Sequence, residues 1–152
     1  MLTEAGVEFV VIGGIAAVLH GSPRNTFDLD VCFATDAANL EALGRVLVAL
    51  DARLAGVEDD VPFVPDAATL HRIELLTLVT SAGRLDVLGR PTGSPPFRLL
   101  RDRADRFDVG GFLVRVAAIE DLIAMKETAR RPKDLADIAE LDAILRIRRA
   151  EP

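Results

Sequence analysis

Two carboxylates one residue apart are the first feature of this sequence that could do chemistry. Asp28 and Asp30 lie in residues 27–33, whose alternation of polar and apolar side chains predicts a strand with both aspartates on one face. Carboxylates this close repel each other unless a cation lies between them. Mg²⁺ prefers oxygen ligands and leaves several of its positions to water and substrate phosphates. A bare pair of this kind is more often a solvated strand face, so the neighbouring residues decide between the two interpretations.

The residues around this pair supply groups that bind phosphate. Gly13 and Gly14 follow one predicted strand and precede a short predicted helix, whose first backbone N–H groups can face an anion. Arg24 offers a guanidinium for phosphate oxygens, and Thr26 follows it closely. The glycine pair alone would indicate only a tight turn. Together with the two aspartates, these residues indicate a site for a metal ion and a triphosphate.

A third carboxylate, Asp86, is the only acid in the apolar segment 84–88. A strand packed beside residues 27–33 would bring it to the same site. The simpler interpretation is an ion pair with Arg84 or with a partner across a hairpin. We favour the role in the site.

A small mixed sheet and several helices must position these side chains. The patterns predict strands at residues 8–12, 27–33, 72–80, 84–88, 106–109 and 112–116, and helices at 15–20, 36–50, 119–129 and 132–146. Asp36 is placed to cap the second helix. Residues 55–70, with two prolines and an acidic triplet, predict a surface loop. The predicted fold class is α/β or α+β in one domain, residues 1–152, with a sheet-containing catalytic core at 1–118 and C-terminal helices at 119–149.

Charge and composition exclude several classes of protein. The formal net charge is −6, divided into −8 for residues 1–83 and +2 for residues 84–152. An acidic first half fits divalent-metal binding and argues against broad non-specific affinity for nucleic acid, although a basic patch in the second half stays open. The sequence has no apolar run of roughly 18 residues and no secretory signal at residues 1–6, so we expect a cytoplasmic protein without a membrane segment.

The cysteine and histidines have no pattern typical of catalysis or metal binding. Cys32 is the single cysteine, which excludes an internal disulfide and agrees with a reducing compartment. His20 and His71 lack the partner spacing of metal ligands, so we expect structural or surface histidines. Without a His/Cys cluster or a G-x-S-x-G segment, a zinc or serine hydrolase has no support.

The sequence contains two motifs in the order typical of the minimal nucleotidyltransferases of the DNA polymerase beta superfamily, and it most resembles the AbiE-type abortive-infection toxins (AbiEii-like) among them. The first is a strand, Gly13-Gly14, a short helix and then R-x-T-x-D-h-D at residues 24–30, where h is apolar. The second runs from Lys126 through basic residues to D-x-x-D, ending at Asp137. The resemblance spans roughly residues 8–142 and implies a polymerase-beta-like nucleotidyltransferase fold.

The resemblance also implies a reaction: transfer of a nucleoside monophosphate from an NTP to a hydroxyl-bearing acceptor, with Mg²⁺ or Mn²⁺ clamping the attacking and leaving oxygens. The implied metal ligands are Asp28, Asp30 and Asp86. Lys126 would neutralise triphosphate charge, and Asp137 would orient it or position the acceptor. The implied nucleotide-binding residues are Gly13, Gly14, Arg24 and Thr26. Without the resemblance, Lys126 and Asp137 could equally form a surface salt bridge.

The acceptor stays open at this point. The toxin-like motifs imply a tRNA or a protein side chain as acceptor, and a cognate antitoxin as partner. Aminoglycoside and lincosamide nucleotidyltransferases share the Gly-Gly, R-x-T and D-x-D arrangement, which makes an antibiotic the alternative acceptor. A third interpretation is a catalytically silent module that binds nucleotide or a partner protein, as an antitoxin would. The presence of all three carboxylates weighs against that module.

Overall fold

The computed structural model describes residues 1–57 and 63–150, which form a seven-stranded mixed sheet and six helices. The strands are β1 (Phe9–Ile12), β2 (Leu29–Phe33), β3 (Arg53–Leu54), β4 (Leu75–Thr80), β5 (Gly83–Leu88), β6 (Asp105–Val109) and β7 (Phe112–Val116). The helices are α1 (Gly13–His20), α2 (Ala37–Ala49), α3 (Ala67–Arg72), α4 (Phe97–Arg103), α5 (Ile119–Ala129) and α6 (Pro132–Ala150). The mixed α/β architecture with a helical C-terminal end agrees with the predicted fold class.

The strand order is β3-β4-β5-β2-β1-β7-β6, which puts β2 in the middle of the sheet. β2 is antiparallel to β1 and parallel to β5. Because residues directly opposite each other on neighbouring strands point to the same face, the register of β2 against β5 decides which of their side chains meet. In that register Asp30 lies opposite Asp86.

The two faces of the central sheet differ in burial. One face packs into the core, and its buried side chains are Val31, Phe33, Leu76, Leu78, Leu85 and Val87. Buried leucines of α2 join the same core, at positions 40, 43 and 47, the spacing of one helix face. The opposite face of β4 and β5 carries Thr77 and Asp86, which are not buried. Burial of the apolar face therefore forces the carboxylates to the open side.

Most predicted strands and helices are confirmed to within a few residues. Asp36 caps α2 as predicted, since its side chain accepts a hydrogen bond from the backbone N–H of Asn39. Two boundaries near the predicted site are wrong. Helix α1 begins at Gly13, so the glycine pair forms the first turn of the helix instead of a turn before it. Strand β2 begins at Leu29, so Asp28 precedes the strand instead of sharing its face with Asp30. None of the helices within the described ranges is long and apolar enough to cross a membrane.

The loop predicted at residues 55–70 is wrong in part. Residues 67–72 form α3, and Asp66 caps it by accepting a hydrogen bond from the backbone N–H of Thr69 at 2.7 Å. The strand predicted from residue 72 accordingly begins only at Leu75. A six-residue helix with a single buried side chain, Leu70, is too short to leave a periodic pattern. The acidic triplet at 58–60 lies outside the described residues.

Candidate active site beside the central strands

The Asp30 and Asp86 side chains line one cleft of about 270 Å³ beside the central strands of the sheet. They come from neighbouring parallel strands in direct register. The start of α1, helix α5 and the α5–α6 junction complete the walls, with Gly13, Lys126 and Arg131 among the lining residues. The cleft therefore combines two facing carboxylates with two cationic side chains.

The glycine pair at the start of α1 allows the backbone to approach the carboxylates closely. A Cβ atom on Gly13 would lie 2.2 Å from Asp30 Oδ2, and Gly13 has a φ of +68°, a conformation that favours glycine. The backbone N–H of Gly14 donates a hydrogen bond to the Asp30 carboxylate. A Cβ atom on Gly14 would lie 2.8 Å from Thr26 Oγ1. Both glycines are thus needed for space, and Thr26 packs directly against the second.

The electrostatic state of Asp30 reflects the crowding of acids. Burial raises its pKa to about 6, and the neighbouring Asp86 and Asp28 carboxylates act in the same direction. The Gly14 N–H and the Arg131 guanidinium oppose this rise. Asp28 directly precedes β2, so its charge reaches Asp30, although Asp28 does not line the cleft. A cation at this position would relieve the repulsion among the three carboxylates.

The donor set fits a divalent metal ion that also takes ligands from a substrate. Asp30 and Asp86 provide hard oxygen ligands, and no ion pair or hydrogen bond to Arg84 competes for Asp86 within residues 1–57 and 63–150. In that same part of the chain, no group of three or more His, Cys, Asp or Glu side chains is arranged to hold a metal ion by itself. Mg²⁺ commonly uses one or two carboxylates together with phosphate oxygens and water. The arrangement suits a metal ion that arrives with a triphosphate.

A second charged group lies across the cleft. The Lys126 ammonium, on α5, is 2.5 Å from Asp137 Oδ2 on α6 and 3.8 Å from Asp134 Oδ1. Arg24 also donates a hydrogen bond to Asp137, although it comes from the segment before β2. Both Lys126 and Asp137 are buried. Asp137 therefore ties the sheet side of the cleft to the helical side.

The cleft also contains a residue to which the sequence patterns give no role. Arg131 begins the α5–α6 junction and lines the cleft beside Asp30 and Asp86. Its side chain donates two hydrogen bonds to Asp134, which is buried in the first turn of α6. The spacing D-x-x-D places Asp134 and Asp137 on the same face of a helix, and this was the available signal that both organise cations.

A larger hollow of about 690 Å³ adjoins the cleft, and Pro91 borders both. It lies beyond the ends of β2 and β5, with Arg72 and Arg90 against a single carboxylate, Glu74. Cys32 also lines it, and burial raises the pKa of this thiol to about 12, so it remains protonated. The hollow offers a second binding region with a positive balance of charge.

Comparisons with known proteins identify the family and the fold. The family model described as "Nucleotidyl transferase AbiEii toxin, Type IV TA system" matches residues 2–150. No curated protein sequence matches the chain significantly.

Solved structures with the same fold include two antibiotic-modifying enzymes. The lincosamide antibiotic adenylyltransferase LnuA, solved with lincomycin, superposes with a TM-score of 0.60 at 16% identity, over 94% of this chain and 90% of that one. ANT(2")-Ia with adenylyl-2"-tobramycin gives 0.58 at 15% identity, over 95% and 83%. An antigenic nucleotidyltransferase-like protein from Paracoccidioides brasiliensis gives 0.54 at 19%, over 96% and 71%. At these identities the likeness concerns the fold alone.

Proposed function

The chain belongs to the AbiEii family of nucleotidyl transferase toxins, and we propose that this nucleotidyltransferase moves a nucleoside monophosphate from a metal-bound NTP to a hydroxyl group of an RNA such as tRNA. The observation that carries the proposal is the direct register of Asp30 and Asp86 at a cleft whose opposite wall holds Lys126. In this proposal the chain acts in the cytoplasm as the toxin of a toxin–antitoxin or abortive-infection system with a cognate antitoxin.

Asp28, Asp30 and Asp86 would hold Mg²⁺ or Mn²⁺. When bound, the metal would polarise the α-phosphate and offset the charge of the departing pyrophosphate. The bond from the acceptor oxygen to the α-phosphorus forms while the bond to the pyrophosphate oxygen breaks. Asp86, the carboxylate that faces Asp30, would accept the proton of the attacking hydroxyl directly or through water. The reaction then depends mainly on positioning and on charge neutralisation.

The remaining site residues would hold the nucleotide. The start of α1 at Gly13 and Gly14 would lie against the phosphates while the Gly14 N–H holds Asp30, and Thr26 packs on Gly14. Lys126 would neutralise triphosphate charge. Asp137 would position both Lys126 and Arg24, since it accepts hydrogen bonds from each.

The charge of the neighbouring hollow favours a polyanionic acceptor. Arg72 and Arg90 outweigh Glu74 there, and in the described residues neither arginine forms an ion pair. RNA phosphates gain affinity from such unpaired guanidinium groups. An aminoglycoside carries several ammonium groups and would be repelled by the same surface. This contrast supports RNA over an aminoglycoside acceptor.

Transfer of label from α-³²P-labelled NTPs in the presence of Mg²⁺, with a cell lysate as source of acceptor, tests the function. We expect label in the RNA fraction with the wild type, and a loss of at least about 100-fold for Asp30→Asn and for Asp86→Asn. Both variants should remain folded, because each removes a charge that its neighbour repels. Asp102→Asn, an exposed carboxylate outside the cleft, is the matched control and should retain activity.

The destination of the label separates the acceptors. Label in the protein fraction would indicate that the acceptor is a partner protein and not RNA. Label found only on added aminoglycoside or lincosamide would favour a resistance enzyme. Metal and nucleotide binding without transfer to any fraction would indicate the silent binding module.

A further inference from the structure

Arg131 lies where the chain turns sharply from α5 into α6. The preceding residue, Arg130, ends α5 in the left-handed conformation with a φ of 49°, and α6 begins at Pro132. This tight junction directs Arg131 back to the cleft that Asp30 and Asp86 line. Arg130, its neighbour in sequence, does not line the cleft and donates to the Glu127 carbonyl of its own helix.

Asp134 holds the Arg131 guanidinium in one orientation. Its carboxylate accepts hydrogen bonds from Arg131 Nε at 3.0 Å, from Nη2 at 3.2 Å and from the backbone N–H at 2.9 Å. The Asp134 side chain is 1% exposed, whereas that of Arg131 is 58% exposed. A guanidinium has five N–H donors, so this fixed edge leaves three donors, including both on Nη1, for another partner.

The charge of Arg131 already acts on the site, since it lowers the pKa of Asp30 against the larger effects of burial and Asp86. Lys126, the other cation of the cleft, is buried and already pairs with Asp137 at 2.5 Å. Arg131 is therefore the more exposed cation of the cleft, and the free edge of its guanidinium can bind an incoming anion.

We propose that Arg131 binds the β- and γ-phosphates of the NTP, with Asp134 as its positioning residue. This inference rests on the proposed function. As the bond between the α-phosphorus and the bridging oxygen breaks, the electron pair leaves with pyrophosphate, and the free edge of Arg131 faces the charge that develops there. A nucleoside monophosphate lacks these phosphates and gains nothing from Arg131.

The test compares the same substitution at two adjacent arginines, Arg131→Gln and Arg130→Gln. The probes are Mg²⁺ complexes of the four α,β-methylene nucleoside triphosphates, the four nucleoside monophosphates and inorganic pyrophosphate, titrated by calorimetry. We expect Arg131→Gln to weaken binding of the preferred triphosphate analogue and of pyrophosphate at least tenfold, with monophosphate binding unchanged. Arg131→Lys, which keeps the charge but lacks the planar fork, should lie between this variant and the wild type. Arg130→Gln should bind all probes like the wild type.

Different failures identify different errors. A wild-type protein that binds no triphosphate analogue would contradict the proposed function and this inference with it. Unchanged triphosphate and pyrophosphate binding in Arg131→Gln would overturn the role of Arg131 and leave the proposed function standing. An equal loss for triphosphate and monophosphate, together with a lower melting temperature, would also overturn it, because it would indicate a structural role at the α5–α6 junction.

Discussion

At the scale of single residues, the cleft contains two pairs of charged side chains that interact in opposite ways. Asp30 and Asp86 face each other and keep their repulsion, whereas Lys126 and Asp137 satisfy one another at 2.5 Å. Removing Asp137 would leave the buried Lys126 without its hydrogen-bonded counter-charge, while removing one carboxylate of the first pair relieves repulsion. The Lys126–Asp137 pair therefore stabilises the fold, whereas the Asp30–Asp86 pair costs stability until a positively charged ligand binds between the carboxylates.

His20 provides a pH-dependent test that is independent of the cleft. The imidazole is buried, donates from Nε2 to the Ala117 carbonyl at 2.8 Å and lies edge-on to Phe107. Burial lowers its pKa below 6.5, so the folded protein prefers the neutral ring. The unfolded chain then binds the proton first as the pH falls. The contribution of His20 to stability should be complete above about pH 6.5 and decline below it, whereas the raised pKa of Asp30 acts in the opposite direction in the wild type and in His20 variants alike.

Thermal melts at pH 7.5, 6.5 and 5.5 measure this decline. His20→Gln keeps a donor toward Ala117 but does not titrate, so its melting temperature should fall less steeply between pH 6.5 and 5.5 than that of the wild type. His71→Gln, at an exposed position, is the matched control and should follow the wild type. If the melting temperatures of the wild type and His20→Gln fell equally with pH, the lowered pKa of His20 would be contradicted.

At the scale of elements, the fit between α2 and the segment before α3 depends on one glycine. A Cβ atom on Gly44, in the middle of α2, would lie 2.3 Å from the Pro65 carbonyl oxygen. Helix propensity alone predicts that Gly44→Ala stabilises the helix by about 1 kcal/mol. Overpacking against a backbone atom costs about 1–3 kcal/mol, so we expect Gly44→Ala to lower the free energy of unfolding.

Urea denaturation measures the sign of this effect. Arg45→Ala and Arg45→Gly, at the exposed neighbouring position, calibrate the propensity difference between alanine and glycine in the same helix. The urea midpoint of Gly44→Ala is compared with the difference between the midpoints of Arg45→Ala and Arg45→Gly. A rise of the same size would contradict the close contact between α2 and the segment before α3.

The same elements explain how far the sequence could predict the fold and the site. β2 and β5 alternate clearly, which made it predictable from periodicity that Asp30 and Asp86 point away from the apolar core, whereas Asp28 precedes β2 and does not line the cleft. The short elements β3, α3 and α4 bury too few side chains to leave a pattern. The orientation of Arg131 depends on the left-handed backbone conformation of Arg130. Arginine rarely adopts this conformation, so the sequence gives no reason to predict it.

At the scale of the whole molecule, the cleft joins two parts of the chain that differ in charge. Asp30 and the glycine pair come from the acidic residues 1–83. Asp86, Lys126 and Arg131 come from residues 84–152, which carry a net positive charge. Arg24 and Asp137 already connect the two sides. A metal-bound triphosphate in the cleft would add contacts to both sides at once, so its binding should stabilise the native state as a unit.

Thermal melts with Mg²⁺ or Mn²⁺ and each NTP test this coupling, because a ligand that binds only the folded state stabilises it by mass action. At 100 times its dissociation constant the ligand contributes about 2.7 kcal/mol, which corresponds to a rise in melting temperature of about 5–10 °C for a domain of this size. The double variant Asp28→Asn/Asp30→Asn should show no such rise. The control Asp51→Asn/Asp102→Asn makes the same change of charge at two exposed positions outside the cleft and should respond like the wild type. A rise that persists in Asp28→Asn/Asp30→Asn would contradict the metal assignment, since the ligand would then bind without two of the three carboxylates proposed to hold the metal.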